Sequence, residues 1–113
     1  MNECLFCRII KGEIPSKIVF RNEFVLAFHD INPQAPVHLL VVPIKHVENL
    51  KDPKASDSSL LVPVFNAIRE ISDSFPISKG FRVVVNCGRE GGQTVDHLHF
   101  HLLGGRPMSW PPG

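Results

Sequence analysis

The chain has 113 residues, a length that fits one packed domain, and 43% of them are hydrophobic, enough for a single core and too many for a disordered or low-complexity segment. Twelve basic residues stand against eleven acidic ones, a net charge of +1, with no basic face to hold duplex nucleic acid or an acidic membrane. No apolar run approaches the roughly 20 residues needed to span a bilayer.

The start, Met1-Asn2-Glu3-Cys4, lacks the basic and apolar regions of a secretory leader. Three cysteines without a leader argue against a disulfide framework and for a reducing compartment, so a cytoplasmic location is expected. The whole chain, 1–113, reads as one domain.

Residues 4–11 place Leu5, Phe6, Ile9 and Ile10 near one helical face, and Gly12 can end that short helix. Residues 17–21 and 24–29 read as two strands turning at Asn22-Glu23, a hairpin. A turn-rich loop follows, Asp30 to Pro36, and then a largely buried strand over 37–43.

After a polar stretch at 51–59, apolar residues recur at Leu60, Leu61, Val64, Ile68, Ile71 and Phe75. Those steps of three and four predict an amphipathic helix, with Ser56, Asp57, Ser58 or Ser59 as N-cap. Pro63 must then sit in the first turn or kink the helix. Residues 81–86 and 97–103 are two more strands, joined by a glycine-bearing loop from Cys87 to Asp96. Five strands that pair locally and two separate helices predict an α+β fold with a mostly antiparallel sheet.

The last strand carries the chemistry. His97, His99 and His101 alternate with Leu98, Phe100 and Leu102, so one face is three imidazoles and the other is core. The plain reading is a half-exposed strand that happens to hold histidine, yet half of the six histidines fall within five positions. A site in which all three bind one metal is disfavoured by reach. The outer two Cα atoms of such a strand are about 13 Å apart, whereas metal–nitrogen bonds are about 2.0–2.1 Å.

Phosphoryl chemistry fits better. Neutral imidazole is a nucleophile that titrates near neutrality. The central ring would attack phosphorus while a flanking ring donates to phosphate oxygens. Just upstream, Gly91 and Gly92 let backbone approach a phosphate, and Gln93 and Thr94 add donors.

These residues are recognisable. His97-Leu98-His99-Phe100-His101-Leu102-Leu103 fits the alternating signature of the histidine-triad (HIT) superfamily. Phe6 through Ser16, Ala27-Phe28-His29-Asp30-Ile31, Pro33 to Pro36, Gly91-Gly92-Gln93 and the tail Leu103 to Gly113, ending Trp-Pro-Pro-Gly, resemble its Hint branch. The resemblance implies a HIT-like fold and a purine nucleoside phosphoramidase, which cleaves a P–N bond such as that of AMP joined to an amine. His99 matches the nucleophile that forms a nucleotidyl-histidine intermediate. His101 and Thr94 match α-phosphate contacts, with Asn86, Gly92 and Gln93 in the same site, and His38 matches a catalytic histidine beside the nucleophile.

Asp30 matches a carboxylate that holds the ribose hydroxyls, with Ile31 beside it; without the resemblance, an Asx-turn would be the plainer reading of Asp30. Leu5, Phe6, Ile9, Phe28, His29, Ile31 and Leu40 match the purine pocket. The resemblance also implies a homodimer with sheets joined across the interface, in which Trp110 reaches the partner's site. Asp96 stands where an aromatic is usual and Ser109 where histidine is common, and both bear on which amine is accepted.

Cys4-x-x-Cys7 resembles half of a structural zinc site found in other HIT branches. The remaining ligands there correspond to His46, in Pro43-Ile44-Lys45-His46, and His97. Two thiolates and two imidazoles suit tetrahedral zinc, and such a site would leave His99 and His101 free for catalysis. The alternatives to a phosphoramidase are a dinucleoside polyphosphate hydrolase with the same nucleophile, and a nucleotide-binding scaffold with weak catalysis.

Overall fold

The structure is a computed structural model that describes residues 4–113; Met1, Asn2 and Glu3, on which the leader reading rests in part, lie outside the described residues. The first element is the short helix α1 (Leu5–Ile10), whose N-cap is Cys4: its Sγ accepts the Cys7 N–H at 3.1 Å. Strands β1 (Ile18–Arg21) and β2 (Val25–His29) form the hairpin. Its turn is set by Asn22, whose Oδ1 accepts the N–H groups of both Phe24 and Val25 at 2.8 Å.

Strand β3 (Val37–Pro43) is buried throughout. A 3₁₀ turn over Pro53–Ser56, capped by Asp52, organises part of the polar stretch that sequence periodicity left without structure. Helix α2 (Ser58–Ser74) starts at Asp57, whose carboxylate accepts the Ser59 N–H. Pro63 lies inside helix α2, beyond its first turn, where the bond it forgoes would have ended on the carbonyl of exposed Ser59.

Strands β4 (Phe81–Val84) and β5 (Phe100–Gly104) complete a five-stranded sheet in the order β1-β2-β3-β5-β4, with every neighbouring pair antiparallel. The expected last strand began at residue 97, but regular pairing begins at Phe100. Before that point the chain leaves the ladder: Leu98 N–H donates to the Val47 carbonyl at 2.7 Å and His97 N–H to Val95 at 2.9 Å.

The sheet has a core on each face. Val25, Ala27, Leu39, Val41, Leu98, Phe100 and Leu102 pack against α2 through Leu60, Val64, Ala67, Ile68 and Ile71. Leu26, Phe28, Leu40 and Val42 point the other way, where Phe6 and Ile9 of α1 cover them. The strict period of two in β2, β3 and β5 makes this division. It also sends His38 and His101 to the α1 side, since their neighbours Leu39 and Leu102 are in the α2 core. No helix among the described residues is long and apolar enough to cross a membrane.

Candidate active site and metal cluster

His99 is 5% exposed, closed over by Phe6, whose ring meets it edge-on at 5.0 Å between centroids. Its Nδ1 lies 2.6 Å from the carbonyl oxygen of His97. A carbonyl only accepts, so Nδ1 carries the proton and Nε2 is left with its lone pair. Burial pushes the pKa of His99 below the ordinary histidine value, against the smaller upward pull of the bond to the His97 carbonyl and of the Asp30 charge. The ring is thus held neutral, in one tautomer, with one basic nitrogen.

The His101 ring is 5.1 Å from that of His99 and 5.2 Å from that of His38. His38 Nε2 and His101 Nδ1 are 2.9 Å apart. The Gln34 backbone N–H donates to His38 Nδ1 at 3.0 Å, so a neutral His38 keeps its proton on Nε2 and donates it to His101. While His101 Nδ1 accepts that bond, His101 carries its own proton on Nε2. Burial, followed by the neighbouring His99 and His38, lowers the pKa of His101 to about 4 despite the Asp30 charge. Burial also lowers that of His38, again opposed by Asp30. The three groups Asp30, His38 and His101 lie close enough to share an ion. The Gln34 N–H on Nδ1 nevertheless keeps the Nε2 proton in place and makes the set a hydrogen-bond chain.

Asp30 does make the Asx-turn that its position suggested, Oδ1 accepting the Asn32 N–H at 2.8 Å. Its other oxygen, Oδ2, is 3.3 Å from His38 Nε2. Arg106 braces the same loop through two contacts from its guanidinium to the Gln34 carbonyl, at 3.2 and 3.0 Å.

Four of the purine-pocket residues share one apolar cluster, Phe6, Ile9, Phe28 and Leu40, and Leu40 pairs directly with His101 across β3 and β5. Leu5 is half-exposed on α1 and Ile31 is almost wholly exposed. His29 lies apart from this cluster: its ring faces Phe75, next to the α2 core, with centroids 6.2 Å apart.

The loop before the triad is built around its glycines. Gly92 has φ +89°, and a Cβ on Gly91 would lie 2.5 Å from the Cys87 carbonyl oxygen, so neither position accepts a side chain without rearrangement. The Asn86 side chain lies beside Gly92. Gln93 is used as a clamp. Its Nε2 donates to the carbonyls of Glu48 and Val95 at 2.9 and 3.0 Å, and its Oε1 accepts the Gly88 N–H at 2.9 Å. Thr94 is exposed and lines a groove with Cys4, Leu5 and His46. Trp110 is 81% exposed and is not brought to His99 within one chain, its neighbour Ser109 being held by Arg82 through a 2.9 Å bond to the backbone carbonyl.

On the other side of Phe6 lies a second cluster. The ligating atoms of Cys4, Cys7, His46 and His97 are all within 4.8 Å of one another. His46 Nδ1 and His97 Nδ1 are 3.1 Å apart, and the sulfur–nitrogen separations are 3.3 Å for Cys7–His46, 3.4 Å for Cys4–His97 and 3.5 Å for Cys7–His97. Bonds of zinc length to a tetrahedron of two sulfurs and two nitrogens require edges of about 3.3–3.4 Å between nitrogens and about 3.5–3.6 Å from sulfur to nitrogen.

His97 Nε2 donates to the Pro43 carbonyl at 2.9 Å, which leaves Nδ1 as the ligating atom. Burial, opposed by that bond, holds its pKa down at about 4. The donor set, its spacing and the outer hydrogen bond all fit a tetrahedral metal ion.

Sequence reasoning named the side chains but missed three backbone groups that orient them: the carbonyls of His97 and Pro43 and the N–H of Gln34. Their amino-acid identity carries no such signal, because every residue has these groups.

An antiparallel sheet covered by helices on both faces, with an imidazole row on its last strand, defines the class, and comparison with known proteins gives the family. The HIT domain pattern matches residues 11–108, and this chain belongs to the HIT family. An uncharacterised HIT-like protein of Synechocystis is 47% identical over 111 residues, 98% of this chain and 97% of that protein. Among solved structures, a HIT family hydrolase from Legionella pneumophila is 47% identical, with TM-score 0.94 and coverage of 98% of this chain and all of that one. A histidine triad protein from Clostridium difficile is 43% identical, with TM-score 0.90 and coverage of 96% and 97%.

Proposed function

We propose that the protein is a nucleotide hydrolase that cleaves the P–N bond of purine nucleoside phosphoramidates, with His99 as nucleophile. The observation that carries this is the 2.6 Å bond from His99 Nδ1–H to the His97 carbonyl, which leaves Nε2 as the one basic nitrogen of a neutral ring. Such a ring needs no deprotonation before attack.

In this reading Nε2 bonds to the α-phosphorus as the P–N bond breaks. The nitrogen leaves with the electron pair and takes a proton from solvent. Water then attacks phosphorus and releases a proton to solvent, the electron pair of the Nε2–P bond returns to His99, and AMP is released. His101 Nε2–H donates to a phosphoryl oxygen where charge develops, and the bond from His38 keeps that proton available. Thr94 and Asn86 add donors, Asp30 takes the ribose hydroxyls, and the wall of Phe6, Ile9, Phe28 and Leu40 receives the base. GMP-type substrates fit the same chemistry.

We assign the Cys4, Cys7, His46 and His97 cluster to a structural zinc ion. When bound, it cross-links α1 to the segments that carry His46 and His97. The catalytic steps themselves call on imidazole alone. A homodimer is supported by the unpaired outer edge of β4 and by the exposed apolar side chains Val62, Phe65 and Phe81.

The test is turnover of adenosine 5′-phosphoramidate by His99→Ala. Loss of at least about 10³-fold is expected, with AMP binding retained. Turnover at the wild-type rate in that variant would reject His99. Faster cleavage of a dinucleoside polyphosphate than of the phosphoramidate would reject the substrate.

A further inference from the structure

Asp30 sits where the sugar end of the site meets the imidazole end. Its backbone N–H donates to the His38 carbonyl at 3.0 Å, and its Oδ1 is held by the Asn32 N–H. Both anchors fix the carboxylate, whose side chain is 17% exposed, with Oδ2 turned toward His38 Nε2 at 3.3 Å. His38 is fixed from its far edge by the Gln34 N–H on Nδ1. The single ring proton of His38 therefore lies between two acceptors, His101 Nδ1 at 2.9 Å and Asp30 Oδ2 at 3.3 Å.

We propose that Asp30 is a positioning residue for the imidazole pair as well as the anchor of the sugar, so that sugar hydroxyls on its carboxylate commit the His38 Nε2–H bond to His101. The inference rests on the nucleotide reading and deepens it. A proton shared with Asp30 leaves His101 Nδ1 without a constant donor, and the His101 ring can then hold its own proton on either nitrogen. A hydroxyl that donates to Oδ2 weakens that oxygen as a competing acceptor. The His38 Nε2–H then donates to His101 Nδ1 alone, and His101 presents Nε2–H to the phosphate. Hydroxyls remote from phosphorus would in this way raise the rate of the chemical step, a use of binding energy at a distance from the reacting bond.

The link separates from simple sugar binding by substrate choice. kcat and KM are measured for the wild-type protein and for Asp30→Asn, with adenosine phosphoramidate and its 2′,3′-dideoxy form. The dideoxy substrate offers no hydroxyls to hold, so a mere anchor would leave its kcat untouched by the substitution. The proposal expects that kcat to rise in Asp30→Asn and recover what the wild type loses on this substrate, because a neutral amide competes less than a carboxylate for the His38 Nε2–H; a fall would overturn it. It also expects the wild type to lose kcat, and not only affinity, on the dideoxy substrate. Unchanged kcat in both comparisons overturns it.

Ring ¹⁵N shifts of His38 and His101 in the folded wild-type protein give a readout independent of turnover and of any variant's folding. Saturating AMP should move His101 toward the Nε2–H form, and dideoxy-AMP should move it less. Identical shifts with the two ligands would also overturn the link. Failure of wild type to cleave either substrate would refute the substrate reading, while the shifts would still decide the role of Asp30.

Discussion

Replacing Phe6 with alanine tests how the small core, the metal cluster and the nucleophile depend on one another. Phe6 is 4% exposed and meets three rings, those of Phe28, His97 and His99, at 5.5, 6.0 and 5.0 Å. Truncation of a buried Phe costs about 3–5 kcal/mol, and the edge-on aromatic contacts are part of that sum. A six-residue helix has little stability of its own. Only docking holds α1, and the loss cannot exceed the free energy with which α1 is held down.

With metal bound, Cys4 and Cys7 keep α1 in place, and denaturant unfolding should register the full loss of about 3–5 kcal/mol. After chelation α1 is free to detach, and the same substitution should cost under about 1 kcal/mol in that assay. If Phe6 forms a wall of the proposed purine pocket, AMP affinity should fall along with the metal-bound stability. Equal losses with and without metal would refute the idea that metal and Phe6 hold the same element. A loss under about 1 kcal/mol in both states would refute the packing itself.

Two further outcomes follow from the site. Burial lowers the folded-state pKa of His38, and takes that of His101 to about 4, below the ordinary value of 6.5. The unfolded chain therefore binds more protons, and stability that is fully present above about pH 6.5 should drain away as pH falls toward about 4. Urea midpoints across that window should show the decline, and His101→Gln should flatten it; a midpoint independent of pH would be the contrary result. Gly91→Ala should leave circular dichroism native and reduce phosphoramidate turnover at least about tenfold, because its methyl group would displace the loop beside Asn86 from the Cys87 carbonyl. Wild-type kinetics in that variant would mean the loop's shape does not matter to catalysis.

Much of this molecule could be read from its residues because period and spacing carry physical meaning. The alternation of His97, His99 and His101 with Leu98, Phe100 and Leu102 predicted both the face they share and the core behind it. The apolar spacing from Leu60 to Phe75 predicted α2. What stayed illegible depends on tertiary bonding. The ladder of β5 starts three residues late because the Val47 carbonyl captures Leu98 first. An amide such as Gln93 can donate to a phosphate, but its residue type gives no sign of the three side-chain bonds that brace the loop here. His29 is adjacent to Asp30 in sequence but on the opposite sheet face, where it meets Phe75. Trp110 has no role that one chain by itself displays.

The pairing of Leu40 with His101, and of Leu39 with Leu102, has a consequence for how such a chain can vary. Insertion of a single residue just ahead of β5 that slipped its pairing by one place would turn Phe100 and Leu102 outward and drive imidazoles against α2. Length changes can therefore be absorbed in the exposed loop around Lys51, but the stretch from His97 to Gly104 has to keep its count. In this fold the aim of the reactive nitrogen is a matter of parity, settled when the strands zip together.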